Sequence, residues 1–154
     1  MAQQELDTAR AVTILNRIME MELAGVVRYT HYSLLVYGYN RLPIVQWLRA
    51  QALESHQHAL QAGEFVTHLG EHPSLGIGPL LETHDHDIGH ILKESLEHER
   101  ATLKLYKELN EIAKDRSVLL EEYARSMIQQ EELHSGEVDK MLREPGDLGV
   151  FMPH

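Results

Sequence analysis

The run Gln130-Glu131-Glu132-Leu133-His134 puts a carboxylate and an imidazole where a helix of a globular protein ordinarily presents leucine. Read at helical spacing, Leu120, Ala124, Met127, Glu131, His134, Val138 and Met141 form one inward stripe. A glutamate and a histidine three residues apart on such a stripe point to a metal ion. The alternative is a buried ion-pair network. It is less favoured here because three further helices also direct polar groups inward.

Working outward from that stripe, the chain reads as four long helices. The five prolines and ten glycines fall mainly between periodic segments, most densely in Gly70-Glu71-His72-Pro73-Ser74-Leu75-Gly76-Ile77-Gly78-Pro79. The first helix is expected from about Asp7 to Val36. Tyr37-Gly38-Tyr39-Asn40 with Pro43 ends it and starts the second, which runs to about Leu69. So short a turn makes these two antiparallel neighbours. The Gly/Pro-rich stretch is long enough to cross the height of a bundle before a third helix, roughly Asp87 to Ala113, and a fourth, roughly Val118 to Arg143. The fold class is therefore all-α: a four-helix bundle of two antiparallel hairpins joined by a long crossover. In the tail, 144–154, Leu148, Val150 and Phe151 could dock on the bundle or on a neighbour.

Single glutamates interrupt two other stripes. Val12, Leu15, Met19, Glu22, Val26, Tyr29, Ser33 and Val36 line the first helix; Leu92, Leu96, Glu99, Leu103, Tyr106 and Leu109 or Asn110 line the third. A buried ionised carboxylate needs a partner. That partner is a metal or, alternatively, Arg28 or Arg100. Each glutamate precedes a tyrosine by seven residues, the trace an ancient hairpin duplication would leave. The tyrosines are core residues, with a hydrogen bond to a ligand carboxylate as the sharper option. Glu97 competes with Glu99, but choosing it would bring Lys104 and Glu108 onto the buried face. Trp47 and Met141 are read as core.

If the halves correspond, the second helix should match Glu131 and His134, and it offers Leu53-Glu54-Ser55-His56-Gln57-His58-Ala59. The match is imperfect. With His58 as the counterpart of His134, Ser55 occupies the i−3 position and Glu54 lies at i−4, about 40° from His58 around the axis. Glu54 can share that face. The candidate metal ligands are thus Glu22, Glu54, His58, Glu99, Glu131 and His134, the scheme of di-iron carboxylate bundles. Anionic oxygens stabilise Fe(III), and imidazoles cap the outer positions while leaving sites open for dioxygen. Four carboxylates offset the charge of two ferrous ions, and without metal they would repel one another. The run His84-Asp85-His86-Asp87 also looks like a metal tract, but its aspartates equally suit a loop that caps the third helix.

Composition narrows the setting. At 154 residues and 43% hydrophobic content, one domain over 1–154 is expected, with the bundle at about 7–143. The absence of cysteine rules out disulfides, thiolate zinc and iron–sulfur clusters. A net charge of −10 disfavours nucleic acid and suits cations. Met1-Ala2-Gln3-Gln4-Glu5-Leu6-Asp7 lacks the pattern of a signal peptide, and no run approaches the roughly 18 apolar residues of a membrane span. The expected location is the cytoplasm, with no membrane partner.

At these residues the chain resembles the ferritin-like superfamily, most closely bacterioferritins and their Dps-like relatives. The resemblance covers about residues 7 to 143. It rests on Glu22-Leu23-Ala24-Gly25-Val26-Val27-Arg28-Tyr29, on His58-Ala59 with Leu69-Gly70 and Pro73, on Glu99 with Tyr106, and on Glu131-Glu132-Leu133-His134. It implies a ferroxidase that binds two iron ions (Fe2+/Fe3+) and oxidises Fe(II) with dioxygen or peroxide, for iron storage or detoxification. Glu22, Glu99 and Glu131 would be its catalytic carboxylates and Glu131 a bridge. It also implies a homo-oligomeric cage of 24 or 12 subunits. Ser55 departs from the family, standing at the second-helix glutamate position, where Glu54 is the available substitute. Haem, held in bacterioferritins by a methionine of the second helix, is disfavoured: the equivalent position is His56, about 200° from His58 around the axis. Other readings on the same bundle are a rubrerythrin-like peroxidase, a manganese catalase, or a non-catalytic assembly protein with a degenerate site.

Overall fold

The computed structural model describes residues 4–151 and contains four helices: α1 (Thr8–Leu35), α2 (Arg41–His68), α3 (Ile88–Ala113) and α4 (Val118–Leu142). No strand occurs among the described residues. The bounds match those expected from the sequence to within a residue or two. Met1-Ala2-Gln3 and the last three residues of the tail lie outside the described residues. None of the helices described is long and apolar enough to cross a membrane.

Local chemistry sets the helix ends. The Asp7 carboxylate accepts from the Arg10 amide at 3.1 Å, and the Ser117 hydroxyl accepts from the Leu120 amide at 3.3 Å, so each satisfies a first-turn donor. At the end of α1, Arg41 donates to the carbonyls of Ser33 (3.3 Å) and Val36 (2.6 Å), two acceptors the helix itself leaves open.

Two compact units result, one of residues Asp7–Ile91 and the other of Leu92 onward with the N-terminal residues up to Leu6. The first is the α1–α2 hairpin. Glu22 meets His58 near the middle of α2 and Tyr29 meets Trp47 near its start, so numbers rise on one helix as they fall on the other. The helices are antiparallel, as the short turn requires. Tyr29, Tyr32, Val36, Val45, Leu48 and Ala52 form the apolar cluster at the turn end, where Ile91 from the first turn of α3 joins them. In the second unit Glu99 meets His134 and Tyr106 meets Tyr123, which makes α3 and α4 antiparallel as well.

The buried positions repeat between the hairpins. Leu15 and Leu92, Met19 and Leu96, Glu22 and Glu99, Tyr29 and Tyr106, and Tyr32 and Leu109 are pairs 77 residues apart, and all ten side chains are buried. Ring contacts follow: Tyr29 lies edge-on to Trp47 at 6.4 Å between centroids, and Tyr106 edge-on to Tyr123 at 6.0 Å. The glutamate–tyrosine spacing seen in the sequence therefore belongs to a longer repeat of burial.

The crossover climbs α1. The Ser74 amide donates to Asn16 Oδ1 at 2.8 Å, the Gly78 amide to the Glu20 carbonyl at 2.9 Å, Arg28 to the Pro79 carbonyl at 3.5 Å, and His86 Nδ1 lies 2.7 Å from the Leu35 carbonyl. From Asn16 to Leu35 is roughly 28 Å of helix. Gly78 allows the close approach, since a Cβ there would lie 3.2 Å from the Glu20 carbonyl oxygen and 2.9 Å from Met21 Sδ. At the other end of the chain the tail folds back on its own hairpin. Arg143, paired with Asp139, donates to the Gly149 carbonyl, and the Phe151 ring lies 6.0 Å from the Arg100 guanidinium. Leu148 and Val150 stay exposed.

Candidate metal centre

Each hairpin carries its own cluster of potential ligands. On α1, Glu22 is one of two charged side chains on a buried face otherwise built from residues such as Leu15, Ile18, Met19 and Tyr29, and it is only 4% exposed. The second, Arg28, donates to the Tyr32 hydroxyl at 3.2 Å as well as to Pro79. Across the hairpin His58 turns its Nδ1 toward Glu22 Oε1 at 3.5 Å. On the opposite edge of the same ring, Nε2 is 3.7 Å from Glu54 Oε1. The expectation that Glu54 shares a face with His58 is met. Glu54 is nonetheless 48% exposed, and the residue that α2 directs inward at this level is Ser55.

In the second hairpin, Glu99 and Glu131 are both buried, the latter 3% exposed between Met127 and Ser135 on α4. His134, one turn on, brings Nε2 to 3.7 Å from Glu99 Oε1. Glu97 is exposed while Glu99 is buried, so Glu99 is the one of the two on the inward stripe. Leu109 is buried and Asn110 only partly so, which settles that stripe too. Histidine 98 is a buried polar residue that the sequence reading passed over. His98 is 5% exposed next to Glu99, on a row with Ser95 and Thr102 that is equally buried but whose polar side chains give no apolar periodicity to mark it.

Separations of 3.5 to 3.7 Å between imidazole nitrogen and carboxylate oxygen exceed the ~2.7–3.2 Å of an N–H···O bond. The exposed pair Lys107–Glu132 stands equally far apart, so it is burial that sets Glu22 and Glu99 apart. Glutamate oxygen with imidazole nitrogen is a donor set for iron, manganese or zinc.

The other candidates have local structural roles. Asp87 Oδ2 accepts from the His90 amide at 3.0 Å and caps α3. The Asp85 carboxylate accepts from the Asp87 amide at 2.9 Å and lies 2.9 Å from His90 Nδ1. The Asp87 amide first, and His90 second, hold the Asp85 carboxyl below its ordinary range. The His84 ring packs edge-on against His31 and the His86 ring stacks on Tyr37. The capping reading of His84-Asp85-His86-Asp87 is the one this geometry supports. His56 is exposed beside a groove lined by Met19, Leu23 and Ala59.

The ferritin-like domain family matches residues 12–145 of the chain. Among solved structures, the chain is similar to the ferritin-like, diiron-carboxylate proteins from Bacillus anthracis str. Ames, with 23% identity over 91% of this chain and 100% of that one, at a TM-score of 0.84. It is similar to Rhodobacter capsulatus bacterioferritin, with 21% identity over 90% and 86% of the two chains and a TM-score of 0.81. A dodecameric thioferritin, the bacterioferritin-related protein from Bacteroides fragilis, gives 19% identity over 90% and 87%, with a TM-score of 0.80. At these identities the likeness establishes the fold. No curated protein matches.

Proposed function

The chain belongs to the ferritin-like domain family, and from that premise we propose that it is a di-iron protein of the ferroxidase type, oxidising Fe(II) with dioxygen or peroxide in iron storage or detoxification. The observation that carries this reading is the burial of three carboxylates, Glu22, Glu99 and Glu131. In both hairpins an imidazole stands within 3.7 Å of one of them. Buried carboxylates are costly unless a cation compensates them. Two ferrous ions would supply that charge, and their oxidation would supply the electrons that reduce the oxidant.

In this proposal Glu22, Glu99, Glu131, His58 and His134 hold the ions, with Glu54 as the remaining carboxylate of the candidate set. The carboxylates neutralise the added charge as Fe(II) becomes Fe(III). The apolar rows around them, Leu15 and Met19 on α1 and Leu96 and Leu103 on α3, keep bulk water from the ligands. A homo-oligomeric cage and a cytoplasmic location belong to the same reading.

The test is aerobic oxidation of Fe(II) by wild type and Glu131→Ala, followed by absorbance. Wild type should oxidise iron well above the protein-free rate and the variant should approach that rate. Equal rates would remove Glu131 from the centre. Metal analysis of the purified protein separates iron from manganese, and light scattering on the eluting particle separates a cage from a small dimer.

A further inference from the structure

We infer that Glu54 acts as a positioning residue for His58, from outside the ligand set, by accepting the Nε2 proton and so aiming the Nδ1 lone pair at the ion beside Glu22. The inference rests on the metal-centre reading above and deepens it.

The geometry of one ring carries the argument. Glu22 Oε1 lies by Nδ1 at 3.5 Å and Glu54 Oε1 by Nε2 at 3.7 Å, on opposite edges of the His58 imidazole. The in-plane directions of the two ring nitrogens diverge widely, and a neutral imidazole offers one lone pair and one N–H. An ion shared by Nδ1 and Glu22 therefore leaves Nε2 as the donor, facing Glu54. A carboxylate in that place cannot also reach the ion on the far edge of the ring.

Solvent exposure separates the two glutamates in the same way. Glu22 is 4% exposed, as a ligand in a core must be, whereas Glu54 is 48% exposed. Its rim position leaves it free to close from 3.7 Å to hydrogen-bond distance. Imidazoles that bind metals commonly donate their other N–H to a carboxylate, which fixes the tautomer and raises the basicity of the ligating nitrogen. The second helix then gives the centre one direct ligand, His58, because Ser55, its buried residue at this level, carries no carboxylate. The ion at His58 is consequently the weaker held, and Glu54 governs how weakly.

Cobalt(II) titration without oxygen, followed by visible absorption, reads this in the full-length chain. Wild type should bind two ions in distinguishable steps. Glu54→Ala should weaken one step about 10–100-fold, the usual cost of losing such a partner. Glu54→Gln, which keeps a carbonyl to accept the proton, should remain within a few-fold of wild type. A second readout is 15N NMR of the zinc(II)-loaded protein, where the His58 Nε2 proton should persist in wild type and Glu54→Gln and exchange faster in Glu54→Ala. If Gln and Ala are equally damaging, Glu54 is itself a ligand and the inference fails. It also fails if Ala leaves both steps unchanged, or if a third ion binds at Nε2. If wild type binds no pair of ions, the metal-centre reading fails instead, so the two failures are distinguishable.

Discussion

Replacing Glu131 with leucine should stabilise the metal-free protein and abolish its stabilisation by metal. The side chain is 3% exposed and flanked on its stripe by Met127 at 2% and Ser135 at 0%. Desolvating a carboxylate costs several kcal/mol even after relaxation, so an apolar side chain of similar size at this position recovers part of that cost, about 2 kcal/mol. With Glu99 also buried in the same hairpin, the metal-free protein carries like charges in apolar surroundings, which adds to the cost. A gain of about 2 kcal/mol corresponds to about 4–8 °C in Tm for a chain of this length. Cobalt(II) at one hundred times its Kd should raise wild type by about 2.7 kcal/mol, or about 5–11 °C, and leave the variant unmoved. Calorimetry with chelator and with cobalt(II) would thus show the order of the two proteins inverted by metal. The contrary result is equally specific. If Glu131 were one half of a structural ion pair, leucine would strand its partner and cost about 3–5 kcal/mol. A variant that melts lower by that amount, and still gains the wild-type increment from cobalt(II), refutes the ligand assignment.

Exchanging Glu97 for glutamine should leave cobalt(II) affinity unchanged because Glu97 is exposed, whereas Glu99→Gln should weaken it at least tenfold; titration of both compares them directly. Gly78→Ala should lower stability by about 1–3 kcal/mol, since its Cβ meets the Glu20 carbonyl oxygen and Met21 Sδ at 3.2 and 2.9 Å; urea unfolding reads the difference. Tyr106→Ala should cost about 3–5 kcal/mol by the same measurement, given a fully buried ring packed edge-on against Tyr123. The Asp85 carboxyl sits below its ordinary value of 3.8 when folded, so its contribution to the start of α3 is present above that pH and is lost as pH falls through the folded value. Faster exchange of the Asp87 amide in that acid window should disappear as a pH effect in Asp85→Asn.

How far the site was legible in the sequence follows from what periodicity can encode. Glu22, Glu99 and Glu131 were identifiable because an α-helix fixes which residues share a face, and a charged residue inside an apolar row stands out whatever lies opposite. The same rule favoured Glu99 over Glu97 but left Leu109 and Asn110 open, and turn chemistry placed the helix ends. It also shows in the Asp87 cap, where a side chain bonds to a backbone three residues away.

Residues whose placement depends on another element were less legible. Periodicity placed Glu54 on the His58 face, but only packing shows that it lies at Nε2, since ring orientation depends on what α1 presents at Glu22. Arg28 also bonds to Tyr32 and to Pro79 of a loop 51 residues away, a contact that helical spacing cannot encode. Gly78 read as loop punctuation, and its reason is a helix carbonyl 58 positions earlier in the chain. The sequence by itself determined four helices, their ends and the inward carboxylates, because those depend on local spacing. Tertiary structure alone decided which ring nitrogen meets which carboxylate and what each arginine and glycine lies against, because those depend on side chains brought together from distant parts of the chain.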